Sequence, residues 1–308
     1  MRNKLTAAAV TAAFLSLCFS TGTAMDAGRS ALAVCAGTIV PSLFPFFILS
    51  ILLNRLGLPQ LIGHRIAPLA GRLFGVSGAG ASALPVGLLG GYPLGAGCVA
   101  SLCACGEISA EEAERLLLFC NNSGPAFLVG AIGGGVFGSA HAGLLLYLAH
   151  ALAAVLTGLL FRQKRPCGGA AQIPPPKPFS AVFPAAVRDA VGAILNVCGF
   201  VVCFSVLLGL LESWGLYALL PDAPASRALV SGFLELGSAV APLRALPCTP
   251  SSLALAALLV GWGGLSVHCQ TAALFADAPL SLRRHSLGRL CSALLSAAFA
   301  YALAPLAL

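Results

Sequence analysis

Nine apolar segments alternate with short polar stretches, at about residues 5–24, 30–53, 75–105, 114–137, 141–161, 190–212, 227–246, 252–276 and 286–307. Apolar runs of about 20 residues predict membrane-crossing helices. One of them is interrupted within Leu116 to Phe137, by Cys120-Asn121-Asn122-Ser123-Gly124-Pro125-Ala126-Phe127. Two carboxamides and a hydroxyl stand there beside Gly-Pro, where a membrane helix should offer only hydrocarbon. Backbone freed at that depth survives only when buried in protein or lining a cavity. A second break follows at Val260-Gly261-Trp262-Gly263-Gly264-Leu265-Ser266-Val267-His268-Cys269-Gln270. Paired breaks of this kind point to a transporter binding site.

The stretch 162–188 separates the segments into two groups, with Arg162, Lys164, Arg165, Lys177, Arg188 and the run Pro174-Pro175-Pro176. Basic loops favour the cytoplasmic side. With the N-terminus inside, Arg55, Arg65 and Arg72 fall inside as well. The linker does so only if one of segments three and four is re-entrant. The same condition in the second group places Arg283, Arg284 and Arg289 inside. The charge pattern therefore predicts two re-entrant hairpins and about seven full spans. The groups also echo one another: Phe47–Leu53 parallels Val202–Leu208, Tyr92–Ala96 parallels Leu234–Ser238, and Ser109–Pro125 parallels Thr249–Leu265. Corresponding spans would cross in opposite directions, as in an inverted repeat. The expected fold is an all-α polytopic membrane protein of about 7–9 membrane segments. Its parts are an N-terminal membrane segment or signal anchor (1–28), a first repeat (29–161), a basic, Pro-rich cytoplasmic linker (162–188) and a second repeat (189–308).

Composition agrees with this pattern. Of 308 residues, 58% are hydrophobic and 9% charged, against about 25% charged in soluble domains. Abundant glycine, 35 residues, suits close helix packing. The net charge of +7 reads as topology and not as nucleic-acid binding. Most of the 12 cysteines lie in apolar segments, where cysteine acts as a small hydrophobe; no metal or other cofactor is expected. No nucleophile–base constellation, H-E-x-x-H pair or phosphate loop occurs, so the chain is not read as an enzyme.

The candidate site residues are Asn121, Asn122, Ser123, Gly124 and Pro125 at the first break, with Tyr92, Pro93 and Gly95 in a further glycine-rich interruption, Leu89–Gly97, that is either a packing kink or a re-entrant tip. Asn121 and Asn122 are hydrogen-bonding groups for a solute, or else for a neighbouring helix. Glu235 is the sole acid of its segment. An intramembrane carboxylate suggests coupling to H+ or Na+; the bland alternative is an interfacial position near Arg227 or Arg244. His268 and Gln270 follow the second break and either complement the Asn pair or pack. Ser109 and Glu112 read as a capping box, with Glu111 and Arg115 pairing at a surface helix start. Thr249-Pro250 opens a second helix in the same way.

On these residues the chain resembles the sporulation integral membrane proteins of the YlbJ (SpoVV) type, with Gate or nucleoside-recognition domains. The resemblance rests on Pro41–Phe47, Gly90–Ala96, Gly106–Leu117 and Phe119–Pro125, in family order across 35–160. It implies an integral protein of the mother-cell-derived outer forespore membrane in a spore-forming bacterium, moving dipicolinic acid. It marks the Asn121–Ser123 and Tyr92–Pro93 regions as the substrate region. Gate domains also occur in concentrative nucleoside transporters, which use paired re-entrant hairpins. The expected partners are a small anionic solute and the lipid bilayer; a homo-oligomer is compatible with this reading. A nucleoside-type carrier and a non-transporting assembly protein of the sporulating membrane are the alternatives.

Overall fold

The computed structural model describes residues 2–163, 178–275, 281–306 and 308. Those residues form helices and connecting turns, with no strand among them. Helix α1, Arg2–Phe19, precedes α2, Thr21–Arg55. The expected boundary between segments 5–24 and 30–53 is thus wrong: the joint lies at Ser20, and α2 runs on through a π-type turn at Cys35–Ile39. Asp26 and Arg29 lower the local hydropathy without ending the helix, because they pair on its exposed face at 3.6 Å.

A helix that the apolar pattern missed comes next, α3, Leu58–Phe74. Its apolar and basic residues share one amphipathic helix, so no continuous apolar run announces it. It is bent by 103° against α4, Gly78–Gly90. Helix α5, Leu94–Ala104, completes a hairpin whose tip is Gly91-Tyr92-Pro93, with the Tyr92-Pro93 bond cis. Helix α6, Ala110–Leu116, then unwinds, and the π-type helix α7, Ala126–Gly134, resumes beyond Pro125. Helix α8, Ala140–Leu160, ends the first group.

The second group opens with α9, Phe179–Ser213. Its first turns occupy the end of the stretch read as linker; Lys164, Arg165, the proline run and Lys177 lie outside the described residues. A second hairpin follows, from α10, Pro224–Leu234, to α11, Val240–Arg244, with its tip at Glu235–Gly237. Helices α12, Pro250–Trp262, and α13, Gly264–Leu274, are a broken pair that turns at two left-handed glycines, Gly263 and Gly264. Helix α14, Leu282–Leu303, ends the group. Each group therefore contains a hairpin, a broken helix and a long helix, in that order, at the positions where the sequence echoes itself.

Five helices are long and apolar enough to cross a membrane among the described residues, or six if α3 and α4 make one bent span. The remaining apolar segments are hairpin arms and half-helices. The protein is an integral membrane protein.

Close backbone contacts bind each broken helix to the long helix of its own group. A side chain at Gly133 would run into Gly143 of α8, and one at Gly261 into Ala293 of α14. Helices α8 and α14 pack on each other, and a separate layer forms where α2 meets α9 through Cys35, Ile39, Phe47, Ile194 and Val201.

Gly133→Val forces two backbones apart, which costs about 1–3 kcal/mol in a packed core. The expected result is a lower melting temperature of the detergent-solubilised protein. Gly130→Ala, with open space at its Cβ, should melt near the wild-type temperature.

Candidate functional site

Both breaks and both hairpin tips meet. In the first group, Ser109 caps α6 by accepting the Glu112 amide at 3.1 Å. The reciprocal half of the capping box is not formed. Glu112 is buried, and its carboxylate accepts the Ser77 amide at 2.6 Å. Nor do Glu111 and Arg115 pair: Glu111 takes the Gln163 amide at 2.6 Å, while Arg115, buried, donates to the Gly75 carbonyl at 3.1 Å. The supposed surface helix is an interior one, because α3 and α4 fold over it. Thr249 and Ser252 do form the reciprocal box at the head of α12.

After Leu116 the chain tightens, the Cys120 amide still reaching the Leu116 carbonyl at 2.7 Å, and then unwinds through Asn121–Ser123. The Cys120 carbonyl nests between Gly87 and Gly95, on opposite arms of the first hairpin, where any Cβ would collide with it. That is the work of Gly95. The tip residue Gly91, at φ 76°, lies against Gly124; in the same manner Gly264, at φ 79°, lies against Leu234–Leu236 of the second tip. Each tip thus touches the break of its own group.

One side chain ties the two breaks together. Arg289 of α14 is fully buried. One terminal nitrogen donates to the Asn121 carbonyl at 2.7 Å and to Asn122 Oδ1 at 3.3 Å; the other donates to the Val260 carbonyl at 3.4 Å and to the Gly261 carbonyl. It forms no ion pair among the described residues. The charge pattern grouped Arg289 with Arg283 and Arg284 on the cytoplasmic side. It lies within the protein because α14 begins at Leu282, and Arg289 falls two turns into it.

Asn121 and Asn122 are wholly buried and turned into the protein. Asn121 donates to Thr271 Oγ1 at 2.9 Å and accepts from the Ala96 amide at 3.4 Å; Asn122 donates to the Phe119 carbonyl at 2.6 Å. His150 Nε2 accepts the Ser123 amide at 3.0 Å, so its proton lies on Nδ1, facing Ser296 Oγ at 3.3 Å. His268 Nδ1 lies 2.9 Å from the Gly264 carbonyl, which can only accept, and its ring tilts against Trp262 at 4.3 Å. It braces the second break and does not line the cavity.

Between the tips lies a small cavity. Of the predicted residues, Tyr92, Ser123, Gly124, Glu235 and Gln270 line it; Asn121, Asn122, Pro93, Gly95, Pro125 and His268 do not. Phe46, Phe47 and Phe127 are among its apolar walls. Among the described residues, four buried polar atoms on its lining residues lack a well-formed hydrogen bond: Tyr92 Oη and Ser123 Oγ, whose side chains face each other, Ser266 Oγ and Gln270 Oε1. Buried polar groups are ordinarily paired. Ser266 was not anticipated, nor were Arg289 and His150. An arginine among Gly288, Leu290 and the apolar run that follows was the signal available for Arg289.

Groups of both electrical senses border the cavity. The start of α7 (Ala126, Phe127) and the start of α13 (Ser266, Val267) both line it. First-turn amides have no intrahelical acceptor, and helix N-termini carry partial positive charge. The guanidinium of Arg289 lies behind them, at Asn121 and Asn122. Glu235, 3% exposed, also lines the cavity, on the tip that lies against Gly264 at the start of α13. Its Oε1 accepts the Gly237 amide at 2.9 Å; its Oε2 accepts the Ser238 amide at 2.6 Å and Ser238 Oγ at 2.9 Å. It pairs with neither Arg227, which meets Glu212 and Asp222, nor Arg244, which donates to the Gly135 carbonyl at 3.0 Å.

The site thus defines a class: an integral membrane protein whose two broken helices and two hairpin tips enclose a largely apolar cavity with a few polar groups. A curated relative, the sporulation integral membrane protein YlbJ of Bacillus subtilis (strain 168), is 29% identical over 314 residues, spanning 89% of this chain and 76% of the relative. The resemblance to the YlbJ-type sporulation membrane proteins therefore extends over most of the chain. No family model matches. A solved structure of CNTnw in an outward-facing state aligns with 97% of this chain and 85% of its own, at 15% identity and a TM-score of 0.48.

Arg289→Leu leaves the carbonyls of Asn121, Val260 and Gly261 without their donor, at about 1–3 kcal/mol for each group left unpaired. Little monodisperse protein should survive detergent extraction, judged by size-exclusion chromatography. Arg289→Lys should rescue partly, since a compact ammonium lacks the fork that reaches both breaks. A Leu variant as stable as wild type would show that the bridge is dispensable.

Proposed function

We propose that the protein is a membrane carrier of a small, flat organic anion, with dipicolinic acid as the solute of first choice. The observation that carries this reading is the set of four buried polar atoms without a well-formed hydrogen bond on one cavity between broken helices. Such groups cost free energy unless something completes them. Two helix N-termini and a buried guanidinium beside the cavity favour an anionic solute. Phenylalanine walls suit a ring. The name of the Bacillus relative supports a role in sporulation, and hence the outer forespore membrane as its place. Glu235 and Gln270 favour one second reading, a nucleoside-type solute whose hydroxyls would donate to them.

Proteoliposomes containing the purified protein should take up labelled dipicolinate saturably, and excess unlabelled nucleosides should not compete. Competition by nucleosides would turn the reading to the second solute. No uptake of either by folded, inserted protein would favour an assembly role.

Two variants separate site from scaffold. Gln270→Ala should reduce uptake about tenfold, the effect of losing roughly 1.4 kcal/mol of binding, with protein level kept. Asn122→Ala should lower the amount of extractable protein, because Asn122 joins the Phe119 turn to Arg289.

A further inference from the structure

Glu235 borders two cavities. Besides the inner one, it lines a larger, more open outer cavity that also includes Glu212, Tyr217 and Arg244; Ile39, Phe127, Val201 and Gly237 are common to both. The second hairpin tip therefore stands as a partition between them, with the carboxylate at its edge. No basic side chain lines the inner cavity among the described residues.

The groups facing Glu235 do not neutralise it. From α2 comes Cys35; from the first tip comes Tyr92. Glu212 and Tyr217 face the outer cavity with Arg244, which is engaged by the Gly135 carbonyl, while Glu212 meets Arg227 at 3.6 Å. From α13 come Gln270, which is neutral, and His268, which is turned to Gly264. Arg289 holds the two breaks and does not line the inner cavity. Among the described residues, then, the carboxylate is steadied by three donors from Gly237 and Ser238.

A dicarboxylate changes this balance. One of its carboxylates is drawn to the helix N-termini and the field of Arg289. The ring then carries the other towards Glu235. Two carboxylates in one site cannot comfortably both be ionised, and they hold a proton between them. Oε2 already accepts two hydrogen bonds, whereas Oε1 accepts one. The free lone pair of Oε1 is where a proton goes, and from there the O–H donates to the solute. A sodium ion is a poorer fit, since the N–H and O–H donors already hold the carboxylate and turn their hydrogens, not oxygens, towards it.

Resting on the anion-carrier reading, we propose that Glu235 takes up one proton with each dicarboxylate bound, so that the carrier moves proton and anion together. The balance is simple: Glu235 carboxylate plus H+ gives the carboxylic acid, which shares that proton with the solute and releases it when the solute leaves. Because the bound state holds the extra proton, affinity rises as pH falls and weakens as pH rises, by up to about tenfold per pH unit.

The test uses the full-length protein in proteoliposomes with labelled dipicolinate. Exchange at equal pH on both sides reports carriage itself. Uptake against an imposed pH gradient, with and without a protonophore, reports coupling. Wild type should accumulate solute with the gradient, lose accumulation with the protonophore, and be indifferent to replacing sodium by potassium. Glu235→Gln, which can donate to the solute but cannot gain a proton, should show weakened exchange, no response to the gradient and a flat dependence of affinity on pH. Exchange without a gradient response in wild type, a sodium requirement in its place, or a gradient response retained by Glu235→Gln would each overturn the proton coupling while leaving the carrier reading intact. Absence of exchange at every pH would overturn both.

Discussion

A single guanidinium holds this molecule's interior together. Breaking a helix at membrane depth strands backbone carbonyls that hydrocarbon cannot satisfy, and this chain does so twice, at Asn121 and at Val260–Gly261. Arg289 answers both with one side chain. Its planar fork presents separate N–H groups in two directions, which an ammonium cannot do. Burying the charge is costly. That cost is offset because every acceptor it meets would otherwise stand unpaired, and because the amide of Asn122 adds another oxygen. Arg289 belongs to α14 and bonds to breaks in both groups, so the relative position of the two half-sites is set by one residue.

The rest of the site follows from that anchor. With the breaks fixed, each hairpin tip needs somewhere to end, and each ends on the break of its own group, glycine against backbone: Gly91 on Gly124, and Gly264 on the Glu235 turn. No side chain intervenes, so the tips can approach from opposite directions and leave a cavity between them. The long helices α8 and α14 back the breaks through similarly close contacts at Gly133–Gly143 and Gly261–Ala293. Small residues therefore decide where the elements cross, and polar residues decide what faces the space that remains.

Much of this was legible in the sequence, and the reasons it was only partly so are physical. The breaks, both tips and the caps at Ser109 and Thr249 are local: glycine, proline and hydroxyl residues act within a few positions of themselves. The amphipathic helix α3 escaped because it never offers an unbroken apolar run. Arg289 was grouped with Arg283 and Arg284 by the charge pattern, although it lies further into the same helix, where its side chain is buried. The direction of Asn121 and Asn122 was out of reach for a different reason. In unwound backbone no period assigns side chains to faces, so two adjacent amides that looked exposed to a solute turn instead to Thr271 and Phe119. Ser123, one position on, is the residue whose hydroxyl lies on the cavity, facing Tyr92.

The two groups share their backbone plan but not their chemistry, and that difference gives the cavity a direction. The first break contributes Ser123, and the first tip contributes a phenol at Tyr92. The second break contributes Ser266 and Gln270, and the second tip a carboxylate at Glu235. A site built from two identical halves would present the same charge at both ends and would suit a solute with matching ends equally well in either orientation. Here helix N-termini and Arg289 attract an anion, while Glu235 repels one. In the proposed carrier that repulsion is useful. It weakens binding of a dicarboxylate unless a proton arrives with it, and so ties the filling of the site to the protonation of the residue at the partition between the two cavities.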